Sequence, residues 1–196
     1  MKRLIAIVSF ACCLPAAQLV WAGAEHAHEH EHAPSLQAHT HGEATLDIVS
    51  EGNHVEIMLA SPAVNLVGFE HQASTPQQKQ RVAAVKQQLQ EPALFAFIGT
   101  ACALQTTDID LSSVQQQRDH QHHHADDHSG DSTADTHGNI TASFHYQCQQ
   151  GSQLKAIDVQ LFHQFHAIET LNARWIIAAQ QGAQALTSTS KRIRFD

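Results

Sequence analysis

"ATLDIVSEGNHVEIMLAS", Ala44 to Ser61, decides how this chain is read. Leu46 and Ile48 share one side of the first half, and Val55, Ile57 and Leu59 share one side of the second. Polar Thr45, Asp47, His54 and Glu56 lie on the other side. A period of two is the mark of a strand with one face in the core and one in water. Ser50-Glu51-Gly52-Asn53 lies between the two runs as a turn, so the stretch predicts a β-hairpin with one buried face.

Outward from the hairpin, "PAVNLVGFEH" reads as a short extended piece ending near His71. "STPQQKQRVAAVKQQLQEP" then changes the period. Thr75 can cap a helix, Pro76 suits its first position and Gln78 completes a capping box. Val82, Val85 and Leu89 recur at helical spacing, and Glu91-Pro92 ends the run, which predicts one main helix over about 75–91. Leu94, Phe95, Phe97 and Ile98 are further apolar packing material. "TACALQTTDIDLSSV" and "NITASFHYQC" read as strands, the second with Ile140, Ala142, Phe144, Tyr146 and Cys148 on one side. "LKAIDVQLF" is another strand, "HQFHAIET" a helical turn, and the C-terminal stretch a strand, a turn at Gln181-Gly182 and one or two short strands. The sum is an α+β fold: a single domain, mostly antiparallel sheet packed with one main helix.

Between the strands "TACALQTTDIDLSSV" and "NITASFHYQC" lies "RDHQHHHADDHSGDSTADTH", residues 118–137. It carries His120, His122, His123, His124, His128 and His137, five aspartates and no large apolar residue. Such a composition predicts a disordered histidine-rich loop. A second tract, "EHAHEHEHAPSLQA", predicts a histidine-rich N-terminal tail over 25–38. Ahead of it, Met1-Lys2-Arg3, an apolar run and the small residues Ala22-Gly23-Ala24 form a signal peptide over 1–24. Export implies the periplasm, with no membrane span in the mature form. The domain proper is then 39–196.

Losing Lys2 and Arg3 takes the 11 basic residues to nine against 19 acidic, a net charge of −10 with histidine neutral. That excludes nucleic acid as a partner, which needs basic surface, and suits cations. Only Cys102 and Cys148 remain after cleavage. Two cysteines in an exported chain most often pair, with buried free thiols or a thiolate metal site as alternatives. A bridge would enclose the whole tract and add about 4 kcal/mol by the chain-entropy account.

Neutral imidazole is the commonest protein metal ligand. The tracts offer many equivalent ligand arrangements, which suits quick capture and loose holding of ions. His39 and His41 in "HTHG" differ, because they stand directly before the first strand and are held more rigidly. "GFEH" supplies Glu70 and His71 from another ordered piece. The expected structured site is His39, His41 and His71, with Glu70, water or a tract histidine as fourth ligand, and the expected metal is Zn²⁺. His163 and His166, three apart, are a weaker pair. There is no G-x-S-x-G and no phosphate-cradling glycine loop, so no enzyme is expected.

"HTHGEATLDIVSEGNHVEIMLASPAVNLVGFEH", "TPQQKQRV", the Cys102 region and "YQC…LFHQFHAIETLNARWI" together resemble the periplasmic zinc-binding proteins of the ZrgA type. The resemblance spans nearly the whole mature chain. It implies a small α+β periplasmic protein with a histidine-rich loop that assists zinc uptake, with a zinc uptake transporter or its other periplasmic components as partner. It carries over onto His39 to Gly42, onto the G-F-E-H ending at His71, and onto Cys102 with Cys148. The alternative is a periplasmic buffer of excess zinc, copper or nickel without a transporter partner.

Overall fold

The computed structural model describes residues 40–115 and 138–195. The expected signal peptide and tail, His39 and the tract histidines lie outside the described residues. The hairpin forms as expected. β1 (Glu43–Glu51) and β2 (His54–Pro62) pair antiparallel from Thr45↔Ala60 to Glu51↔His54, closed by Gly52 and Asn53. Gly52 has φ +59, which its missing Cβ permits. Leu46, Ile48, Val55, Ile57 and Leu59 are all buried.

The next piece is not extended. Ala63–Val67 is a short helix, α1, burying Ala63, Asn65, Leu66 and Val67. Gly68 ends it in the left-handed conformation, its N–H donating to the Val64 carbonyl. A five-residue apolar run has no period that separates helix from strand, so the glycine stop was the usable signal. α2 (Pro76–Leu89) keeps both halves of its Thr75–Gln78 capping box and buries Val82, Val85 and Leu89.

Seven more strands follow among the described residues. They are β3 (Phe95–Ile98), β4 (Cys102–Asp110), β5 (Asn139–Cys148), β6 (Ala156–Val159), β7 (Thr170–Ile177), β8 (Gln180–Leu186) and β9 (Arg192–Arg194), with a short α3 (Leu161–Gln164) after β6. Leu94 to Ile98, read only as packing material, thus supplies a strand. The last hairpin turns at Ala178-Ala179, not at Gln181-Gly182. Gly182 sits inside β8 under an indole: a Cβ there would lie 2.3 Å from Trp175 Cζ2. That glycine marks a close approach rather than a turn.

The six-stranded sheet runs β4-β5-β2-β1-β7-β8 and the second sheet β3-β6-β9. Every pairing is antiparallel except β1 with β7. The core joins the inward face of the large sheet (Leu46, Ile57, Phe144) to α1 and α2 (Leu66, Val85) and to the small sheet (Phe95, Ile157, Ile193). The architecture is α+β, as expected.

The parallel pair has a consequence for position. Gly42 accepts from both Glu169 N (2.8 Å) and Thr170 N (3.0 Å), so β1 and β7 start side by side. β2 ends, β5 starts and β4 ends at that same end of the sheet, through Thr45↔Ala60, Pro62↔Asn139 and Asp110↔Thr141. Cys102 and Cys148 are disulfide-bonded and face each other at the opposite end. At about 3.3 Å per residue the bridge stands roughly 26 Å along β4 from Asp110. It closes the far end of the β4–β5 hairpin rather than the mouth of the histidine tract.

Candidate metal centre

The mouth of the tract is held by other bonds. Ala73 N donates to the Val114 carbonyl (2.9 Å), and Ala63 N to the Gly138 carbonyl (2.8 Å). The Gln72 amide reaches the Ser112 and Ser113 carbonyls, and Ser113 Oγ donates to the Asn139 carbonyl at 2.7 Å. Gly138 is packed so closely that a Cβ would lie 2.9 Å from Ser113 Cβ and 3.3 Å from the Glu70 carbonyl oxygen. Ser113, just before the tract, and Gly138, the first described residue after it, therefore stand together, with Gly138 beside the Glu70 backbone. Asp110 accepts from Ser112 N at 2.8 Å. The Ser112 hydroxyl and N–H hold its carboxyl below the usual carboxylate range.

His41 stands at the same end of the sheet. Its Nε2 lies 3.4 Å from Glu70 Oε1, with His41 largely exposed and Glu70 mostly covered. The peptide after His41 is fixed on both sides. Its N–H, Gly42 N, donates to the buried Asn65 Oδ1 at 2.9 Å, and Gly42 O takes the two donors from the start of β7. Asn65 Nδ2 in turn donates to the Glu43 carbonyl (2.8 Å) and to Ser61 Oγ (3.2 Å). Gly42 has φ +84, and a Cβ there would come to 3.3 Å from Glu169 Cδ. The backbone that carries His41 is thus specified by a left-handed glycine and a buried asparagine.

His71 is placed differently. Its ring stacks on Phe69 at 5.0 Å, and with Nδ1 protonated it donates to the Gln72 carbonyl at 3.0 Å. That tautomer leaves Nε2 with its lone pair, facing Gln78 Nε2 at 3.4 Å. Gln78 Oε1 is meanwhile taken by Ser74 and Thr75 at the head of α2, so its amide nitrogen is turned toward His71. Of the expected site, His41 and Glu70 meet, His71 turns to the α2 cap, and His39 lies outside the described residues. Among the described residues, no three His, Cys, Asp or Glu side chains converge on one point that could hold a metal.

The remaining histidines behave as surface groups. His145 Nε2 meets Asp108 Oδ2 at 3.6 Å on the outward face of the sheet. His163 Nε2 lies 2.7 Å from Lys191 Nζ, which also donates to Gln160 Oε1. With the ammonium donating, that ring nitrogen is occupied and His163 is not poised to share an ion with His166. Sequence reasoning overlooked Asn65 and Glu169. The signal for Asn65 was an amide inside an otherwise apolar helical turn; for Glu169 there was none.

Residues 38–195 match a family model described as ZrgA family zinc uptake protein. No curated protein matches the chain.

Proposed function

The chain belongs to the ZrgA family of zinc uptake proteins, and on that premise we propose that it is a binding protein, not an enzyme, that captures Zn²⁺ in the periplasm and supports its import. Zinc here is cargo. The tract and the tail gather ions, and an ordered position at His41 and Glu70 holds one more tightly, completed by His39, His71 or a tract histidine.

One observation carries this reading. The two roots of the tract and the His41–Glu70 pair occupy one end of the sheet, with Gly138 in contact with the Glu70 backbone. An ion taken by the tract is delivered beside the ordered pair without crossing the molecule. The 3.4 Å separation fits the role. Two donors at about 2.0–2.1 Å from a tetrahedral zinc are about 3.3 Å apart. With Nδ1–H donating, His71 Nε2 is the nitrogen a metal would take once its 3.4 Å contact with the Gln78 amide is released.

The test is zinc titration of the mature protein with His41→Ala and Glu70→Gln. Each should weaken the tightest equivalent by at least about tenfold, while the looser equivalents persist. Unchanged tight binding in both variants would remove the pair from the site. Histidine ligation also requires neutral imidazole, so affinity should fall as pH is lowered. The degenerate ligand sets of the tracts also suit a buffer of excess metal. Growth of a deletion strain under zinc chelation against zinc excess separates the two roles.

A further inference from the structure

The two edges of the large sheet are unlike. β4, at one edge, carries Asp108 and Asp110 and a register break between Leu104 and Thr106. Charges and bulges are the devices that keep a free edge from pairing. β8, at the other edge, has neither. From Gln180 to Leu186 it reads QQGAQAL, with no charge and no proline, and its register with β7 is unbroken. The uncharged stretch extends from Trp175 to Ser190.

The open hydrogen-bonding positions can be assigned. Ile177 and Gln180 close a two-residue turn, so alternate residues of β8 bond to β7 and Gln181, Ala183 and Ala185 direct N–H and C=O outward. Among the described residues no backbone group bonds to these three. Beside this edge lies a groove of about 650 Å³ bordered by Val49, Trp175, Ile176 and Ala183. Val49 and Ile176 are 42% and 56% exposed, two of the three large apolar side chains on the described surface. The charges that line the groove, Asp47 and Arg174, neutralise each other through two hydrogen bonds of 2.7 and 2.8 Å.

We propose that β8 is a self-association edge, on which two copies of this chain pair antiparallel about a two-fold axis at Ala183. The strand is self-complementary in that register. Ala183 faces its own copy, Gln181 faces Ala185, and no like charges oppose. Electrostatics select the same place. A mature chain of net charge −10 repels its copy over most of its surface, and this edge carries no acid to contribute. The neutral, self-complementary strand fits a second copy rather than a charged partner strand. The paired sheet would have twelve strands with a β4 at each end, about 50 Å apart at 4.8 Å per strand. The two histidine tracts would then work at opposite ends without competing for one ion.

Sedimentation equilibrium of the mature protein from about 1 μM to about 1 mM tests this, with EDTA present so that bound zinc cannot bridge copies. The wild type should show a dimer rising with concentration. Ala183→Lys brings two ammonium groups together across the axis and should raise the dissociation constant at least about tenfold, while Ala183→Ser should leave it within about twofold. Amide exchange at Gln181, Ala183 and Ala185 of the wild type should slow as concentration rises, which reads the edge directly if the lysine variant misfolds. A wild type monomeric throughout, a dimer indifferent to Ala183→Lys, or exchange at these amides independent of concentration would each overturn the proposal.

Discussion

Asn65 shows how a single buried side chain governs a surface feature. It satisfies one donor and one acceptor of the chain entering β1 and is itself satisfied by Ser61. Replacing it by leucine keeps volume but leaves the Gly42 N–H and Glu43 carbonyl without that partner. The expected loss is about 2–3 kcal/mol, the cost of stranding buried polar groups, read from urea denaturation. Zinc titration should show a weaker tight equivalent, because the peptide that orients His41 has lost its anchor. Gly42→Ala attacks the same peptide through its dihedral. The φ of +84 and the 3.3 Å approach to Glu169 should together cost about 1–2 kcal/mol.

Among elements, β9 depends on one ion pair as well as on its backbone ladder. Arg192 donates twice to Asp158 of β6, at 2.6 and 2.7 Å. The Arg192 hydrogen bonds hold the Asp158 carboxyl below the usual carboxylate range. A depressed folded value means that the stabilisation is complete above the unfolded value near 3.9 and fades as pH falls through the folded one. Asp158→Asn should therefore lower stability at pH 7 by up to about 1 kcal/mol, as for a partly exposed bidentate pair, and the difference should shrink as pH falls below the unfolded value. Urea midpoints of both proteins across that range check the sign. At this scale the sequence was readable wherever a period ran long enough: the β1–β2 hairpin, α2 with its capping box, and β5 all stand where alternation or helical spacing put them. It failed where runs were short. Ala63–Val67 is too brief to show a period, Phe95–Ile98 is buried packing that happens to pair with β6, and Gly182 resembles a turn residue because nothing local announces Trp175 above it. The parallel docking of β7 on β1 was illegible for a different reason, since it joins segments more than a hundred residues apart. The candidate site divides similarly. His41 could be found from H-x-H before a strand, whereas Glu169 over Gly42 follows only from that parallel pair.

At the scale of the whole molecule, the proposed function puts two tasks at opposite ends of the sheet. The disulfide and the turns at Gly52 and Ala178 lie at one end, and the tract roots, His41 and Glu70 at the other. Stability and metal capture should therefore be separable by experiment. Replacing residues 119–137 with a short Gly-Ser linker removes six histidines and five aspartates but none of the bonds that hold Val114 and Gly138. Loop closure changes by only about 0.6 kcal/mol for each halving of length, so the melting temperature should move little. Several weak zinc equivalents should vanish while about one tighter equivalent survives. Reducing the disulfide should do the reverse: it relaxes a constraint across a 46-residue separation, costing about 4 kcal/mol on the chain-entropy account, yet leaves the zinc stoichiometry of the folded protein intact because the bridge lies at the far end of the hairpin. If the linker variant lost all zinc binding, the ordered position at His41 and Glu70 would not exist apart from the tract. If reduction removed the tight equivalent from protein still folded by circular dichroism, the two ends would be coupled and the separation would be wrong.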